Sequence, residues 1–336
     1  MAGRTFDFTT SPAYEHDRTV YAAGESNDCE DGQLLCGVLY RSADGGRSWS
    51  RLPARGRLPG RVLLPPSYPS DNRIFSVSPV SLMVSTDDGA TFRTVAPAQG
   101  DAAMSPAFSE GDPRILFSSD PLRAIPVATE YNDATGLVTP LALPLPTDVA
   151  AATFAFSPAY SSDGRVLVWG VRQQSVATMT LSGTFNPRMG IFSCDAKSCE
   201  QVLDFEGFDF RQRLAWVDEV VYASTQRSLY RSMDNGRTFA KVVVPGDAFG
   251  FLEHFTLGHD GTLYAGVLKP GTGWQLFASP DRGDTWELVT EDHDTWAVRD
   301  VAALPDGTLL VGSWNESVGI RCSADGGRSW APLCPR

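Results

Sequence analysis

One eight-residue phrase recurs along this 336-residue chain and limits what it can become. It first reads Ser42-Ala43-Asp44-Gly45-Gly46-Arg47-Ser48-Trp49 and returns at 85–92, 232–239, 279–286 and 323–330. The shared pattern is Ser-x-Asp-x-Gly-x-(Ser/Thr)-(Trp/Phe). Each copy follows a short run, such as Leu39-Tyr40-Arg41 or Leu229-Tyr230-Arg231, that reads as a strand. Asp and Ser side chains hydrogen-bond nearby backbone N–H groups, and Gly takes conformations that a Cβ opposes. The phrase is therefore predicted to be a turn whose terminal aromatic packs between neighbouring sheets. A residue that every repeat unit carries holds the unit together. Asp44, Asp87, Asp234, Asp281 and Asp325 are thus expected to be structural, not catalytic or metal-binding.

Spacing counts the units. Asp44 to Asp87 is 43 residues, Asp234 to Asp281 is 47, and Asp281 to Asp325 is 44. The 147 residues from Asp87 to Asp234 leave room for two worn copies. One is Ser193-Cys194-Asp195, where Cys199 replaces the glycine turn by a clasp; the other is Asn132-Asp133-Ala134-Thr135-Gly136. A second phrase, strand–polar turn–strand, precedes each turn: 6–22, 63–76, 103–118, 154–170, 215–223, 255–266 and 301–312. Seven units of four short strands predict an all-β chain, a seven-bladed β-propeller with four antiparallel strands per blade. The eight-residue turns join third to fourth strands. The blades fall near 1–55, 56–99, 100–146, 147–207, 208–247, 248–293 and 294–336, in one domain. The first unit begins on its first strand and the last ends on its fourth, so closure is expected to rest on packing of the terminal blades without strand exchange.

The repeated turn resembles the Asp-box, or BNR repeat, of sialidase-like (WD40/YVTN/BNR-like) β-propellers, and the resemblance spans essentially the whole chain. In such families the box is structural and lies away from the active site. The resemblance implies that ligands sit on the other face, among loops joining second to third strands and one blade to the next. The Phe/Tyr-Arg-Ile-Pro motif of sialidases is missing, and no Tyr nucleophile with a Glu partner can be assigned. Xyloglucanase-like glycosidases carry these boxes on two propellers, whereas this chain has one. Photosystem-assembly factors and sortilin-type receptors use the repeat without catalysis.

Net charge is −12, which argues against nucleic acid as a partner. No apolar run approaches the ~20 residues of a membrane-spanning helix. The 31 Gly and 23 Pro suit many turns and few helices. The six cysteines fall into close pairs, Cys29–Cys36, Cys194–Cys199 and Cys322–Cys334. A metal site is the alternative, but there is no Cys-x-x-Cys and there are four His. Disulfides are expected, and with them a secreted or extracytoplasmic location. Met1 leads straight into a predicted strand with no signal peptide, so the chain is either trimmed or its cysteines are reduced.

Two clusters are candidates for chemistry. Arg61, Arg213 and Arg299 precede first strands, with His254 in a similar place. Pointing inward they form a carboxylate clamp, as in the arginine triad of sialidases; the competing reading pairs them with carboxylates such as Asp209, Asp218 and Asp300. The second cluster gathers Glu253, His254, Glu291, Asp292, His293, Asp294, Trp296, Trp314 and Glu316; loops are expected at 267–275 and 290–299, and Trp274, Trp296 and Trp314 are the loop aromatics through which a partner would bind. Carboxylates beside flat aromatics suit sugar binding or glycoside hydrolysis, and also a divalent cation such as calcium. A solvated acidic rim is the bland alternative, and the loop 25–31 reads the same way. No cofactor is expected. The leading expectation is a monomeric, non-catalytic propeller that binds a protein or glycan through its loop-rich face. A glycoside hydrolase is the alternative, and an assembly scaffold a third reading.

Overall fold

The computed structural model describes residues 4–27, 36–53, 60–78, 81–97, 101–117, 128–172, 188–206, 213–245, 251–269, 273–292, 298–313, 315 and 318–334. The chain is all-β. Seven antiparallel sheets follow one another as the blades of a propeller, and helix is confined, among the described residues, to two four-residue turns and one 3-10 turn. In every sheet the strands are paired in sequence order.

Contact density divides the chain into two compact units. The first comprises Met1–Ser78, Met83–Arg93 and Val242–Arg336, and holds blades one, six, seven and most of blade two. Blade one consists of Arg4–Thr10, Val20–Ser26, Cys36–Ser42 and Ser50–Arg51. Blade six consists of Phe251–Leu257, Leu263–Lys269, Gly273–Ser279 and Glu287–Asp292. Blade seven departs from the pattern. It has Val298–Ala303, Leu309–Ser313 and Ile320–Ser323, and then a single bridge between Cys322 and Ala331 in place of a full fourth strand. The Cys322–Cys334 disulfide clasps that last hairpin. Blades seven and one meet without exchanging a strand. Tyr14, Val20 and Val38 of blade one share a core with Leu304, Leu310 and Ile320 of blade seven. Asp306 of blade seven accepts hydrogen bonds from the Tyr14 hydroxyl (3.0 Å) and the Arg18 guanidinium (2.8 Å).

The second unit comprises Pro79–Leu82 and Thr94–Lys241, and holds blades three, four and nearly all of five. Its largest sheet, blade four, runs Val149–Phe156, Val166–Arg172, Arg188–Cys194 and Cys199–Glu206. In both units the second strands are buried along both faces, as in Val220–Ser224 and Leu309–Ser313. Within the first unit, blade six packs on one face of Leu309–Ser313 and blade one on the other, so this strand reads as a continuous apolar run and not as an alternating one.

The repeated phrase forms the turn from third to fourth strand in blades one, two, five and six, and the closing turn of blade seven. Its bonding is the same five times. In blade five, Ser232 Oγ donates to Asp234 Oδ1 (2.7 Å) and accepts from the Gly236 N–H (2.8 Å). Asp234 Oδ1 accepts from the Thr238 N–H (2.9 Å), and its Oδ2 from the Thr238 hydroxyl (2.7 Å). Both carboxylate oxygens are thus spent inside the turn. The hydroxyl bond from Thr91, its N–H bond and the Ser85 hydroxyl hold the Asp87 carboxyl down at about 2; Asp281 and Asp325 are held at about 2 by the matching groups.

The turn also reaches sideways. Its glycine has positive φ in every copy, and each lies close against the preceding blade. A Cβ at Gly236 would stand 2.9 Å from Leu167, and one at Gly89 2.5 Å from Leu52. At Gly283 the neighbour is Val242, at Gly46 it is Leu310, and at Gly327 it is Leu276. Glycine is required twice over, for the left-handed backbone and for the close approach.

Blades three and four lack this device. In blade four the hairpin closes over Asp195–Ser198, with Asp195 Oδ1 accepting the Lys197 N–H (2.7 Å) and Ser198 N–H (2.8 Å). The disulfide Cys194–Cys199 joins directly opposed strand residues. In blade three Asn132 takes the part of the aspartate, accepting the Thr135 N–H at 3.1 Å, and a Cβ on Gly136 would meet nothing within 4 Å. Cys29 lies outside the described residues; among the described cysteines none is free.

Candidate binding site

The first strands of blades six, seven, one and two bring charged side chains together within the first unit. In blade six the register slips between Leu252 and His254, so Glu253 is an extra, bulged residue. Blade seven slips at the matching place, between Val298 and Asp300, making Arg299 the bulged residue. Blade one slips between Thr5 and Asp7. A bulge re-aims side chains next to it, and here equivalent positions face each other across neighbouring blades.

Two such pairs link blades six and seven. Arg299 forms an ion pair with Glu253 at 3.9 Å, and His254 Nδ1 lies 3.0 Å from Asp300 Oδ1. Asp300 is 1% exposed. Its Oδ2 accepts the Phe8 N–H of blade one (3.0 Å), and its Oδ1 accepts the Val301 N–H (3.0 Å). Asp300 meets the imidazole at Nδ1. The row continues with Asp7, paired at 4.0 Å with Arg61, the first residue of the Arg61–Leu63 strand. Arg61 is the most open member, its side chain 50% exposed.

The sequence placed Arg61, Arg299 and His254 just ahead of strands. The structure places Arg61 at a strand start and the other two inside strands, each opposite a carboxylate of the chain. Arg213 begins the Arg213–Val217 strand of the second unit. Trp274 needs a correction: it is not a loop aromatic. The strands of blade six run on past the expected loop boundary, pairing Leu268 with Trp274, and the indole packs over Gly266 at 2% exposure. A ring buried in the core offers no face to a ligand. Glu291 and Asp292, read as loop residues, belong to the fourth strand of blade six. His293, Asp294, Trp296, Trp314 and Glu316 lie outside the described residues. Among the described residues no group of three or more His, Cys, Asp or Glu is arranged to hold a metal.

Sequence reasoning missed Asp7, and it missed a recurring seat between blades. The string Ser-Pro-Ala-(Tyr/Phe) at 11, 105 and 157 is its signature. Ser11 and Ser157 each donate to an aspartate six residues on, Asp17 and Asp163, and Ser105 to Asp112 seven on, shaping the turn from first to second strand. The tyrosines then reach across: Tyr14 to Asp306, and Tyr160 to Arg114. Burial first, with Asp306 next, pushes the Tyr14 phenol up to about 12, so it stays a donor at physiological pH.

No family model matches the chain. A xyloglucanase of a Paenibacillus species is 30% identical over 135 residues, covering 33% of this chain and 12% of that enzyme. The extracellular domain of a hybrid two component system of B. thetaiotaomicron superposes over 96% of this chain and 38% of that one, with TM-score 0.62 and 11% identity. A puromycin-hydrolyzing peptidase of Mycobacterium tuberculosis does so over 99% and 52%, with TM-score 0.62 and 12% identity. The chain thus spans about an eighth of the curated relative and 38% and 52% of these two structures, whose likeness is one of fold.

Proposed function

We propose that this chain is a non-catalytic, extracytoplasmic propeller of the Asp-box class that binds a glycan at the charged row on the first strands of blades six, seven, one and two. The carrying observation is the pairing. Glu253 with Arg299, His254 with Asp300, and Asp7 with Arg61 set acids against bases along successive blades. Such a row has fork-shaped donors and paired acceptors but little net charge. It suits a neutral, hydroxyl-rich ligand better than an anion, which would have to displace a carboxylate from each arginine. The partial match to a xyloglucanase supports a carbohydrate. Two disulfides support an oxidising compartment.

The runner-up is glycoside hydrolysis. It is favoured by His254, oriented by Asp300, and the nearby Glu253, which are groups that move protons. The test is a glycan array probed with oxidised protein, with and without calcium, followed by Arg61→Ala on every structure retained. Selective retention of neutral oligosaccharides, weakened at least tenfold by Arg61→Ala, is the expected result. Release of reducing sugar from a retained glycan would transfer the reading to hydrolysis. Silence across the array, or retention indifferent to Arg61, would end it.

A further inference from the structure

Five blades press a turn glycine onto the blade before them, and blades three and four do not. Where blade four's turn is shortened to Asp195–Ser198, a groove of about 770 Å³ lies open between blades three and four. That volume is in the range of ligand clefts. The groove is at the turn end of its two sheets. Four carboxylates and two cations line it. Asp163 is held by Ser157 and by the Arg165 N–H, and Asp112 by Ser105 and Arg114. Glu110 and Lys197 are exposed at its rim.

The chain's own Arg114 shows how a cation sits against this groove wall. Arg114 lies over the Tyr160 ring, 5.7 Å from its centre, while bonding the Tyr160 hydroxyl and the Asp112 carboxylate. In the other unit, the equivalent seat between blades seven and one holds Arg18 the same way, 5.3 Å from the Tyr14 ring centre and bonded to Asp306. There the glycine turn of blade one closes the space, with Gly45 N–H donating to the Arg18 carbonyl at 2.9 Å. Between blades three and four nothing comparable among the described residues closes it.

We propose that the groove between blades three and four is a second binding site, which takes a basic segment of a partner protein by seating Lys or Arg side chains among its carboxylates and against Tyr160. The site is independent of the glycan reading. The experiment uses fluorescently labelled hexapeptides, one lysine-rich, one arginine-rich, one neutral and one acidic, titrated with the full oxidised chain and followed by anisotropy at low and physiological salt. The basic peptides are expected to bind, more weakly as salt rises, and the others not. Glu110→Lys should weaken binding at least tenfold and Lys197→Glu strengthen it several-fold; both positions are exposed, so folding is spared. Glu15→Lys, an exposed charge reversal in the other unit, is the control and should leave binding within twofold. Equal weakening by Glu110→Lys and Glu15→Lys would show attraction to the overall negative charge and overturn the proposal. So would basic peptides that do not bind, or bind no better than the acidic one.

Discussion

Blades four and five stand side by side and end their third strands differently. Blade five uses the glycine turn, which satisfies its own aspartate and then leans on blade four: Gly236 against Leu167, and the Asn235 carbonyl accepting from Arg165 at 2.9 Å. Blade four uses a covalent clasp, Cys194–Cys199, which fixes its own hairpin but leaves a groove toward blade three. The difference separates two jobs that the repeated turn combines. Closing a hairpin can be done locally, by hydrogen bonds or a disulfide. Leaning the turn itself on the next blade needs a backbone that comes within van der Waals reach of it, and glycine permits that approach.

The sharpest way to break this comparison is to put a methyl group on two glycines that share positive φ but not surroundings. Gly236→Ala meets both left-handed strain and Leu167, and is expected to lower unfolding free energy by about 2–4 kcal/mol. Gly136→Ala meets the strain alone, for about 1 kcal/mol. Equal losses in urea titrations would remove the inter-blade role.

Replacing both Cys194 and Cys199 by Ala reopens a short loop and should cost about 2 kcal/mol by loop-closure entropy. Binding of basic peptides should persist, because the clasp is not what recognises them. Asp234→Ala forfeits the hydrogen bonds to Thr238 and Ser232 and is expected to cost ~1–2 kcal/mol; an unchanged melting curve would show that the bonds contribute nothing net.

The smallest effect is a shared one. Asp87, Asp281 and Asp325 are lowered from the ordinary 3.8 to about 2 by hydroxyl and N–H donors. The unfolded chain binds protons there more tightly, so these groups stabilise the fold fully above pH 3.8. Their contribution is lost as pH falls from 3.8 to about 2. Acid unfolding should steepen in that window, and Asp281→Ala should soften it.

The sequence made the architecture plain because the turn spells out its own bonding: Ser, Asp, Gly and Ser/Thr are each present for one contact. The clasp in blade four was readable for the same reason, since two cysteines five apart must close something small. The site was less legible. Trp274 reads in sequence as part of a loop at 267–275, yet the strands stay paired up to Lys269 and Gly273. The pairing of Glu253 with Arg299 depends on bulges in two blades at once, and a one-residue slip leaves no mark in composition. Asp300 reads as an ordinary acid in sequence; only its position between blades six and one reveals a buried carboxylate with a backbone donor from each of blades one and seven.

The most direct test of the whole account is one titration run on two variants. The oligosaccharide best retained by the array is titrated into wild type, Arg61→Ala and Asp234→Ala, and each protein is also unfolded in urea. A division of labour between the turns and the first strands predicts that Arg61→Ala loses at least tenfold in affinity with its stability within about 0.5 kcal/mol of wild type. It predicts the reverse for Asp234→Ala, less stable but binding as wild type does. Affinity that follows Asp234 and ignores Arg61, or a wild type that binds no oligosaccharide, would contradict it.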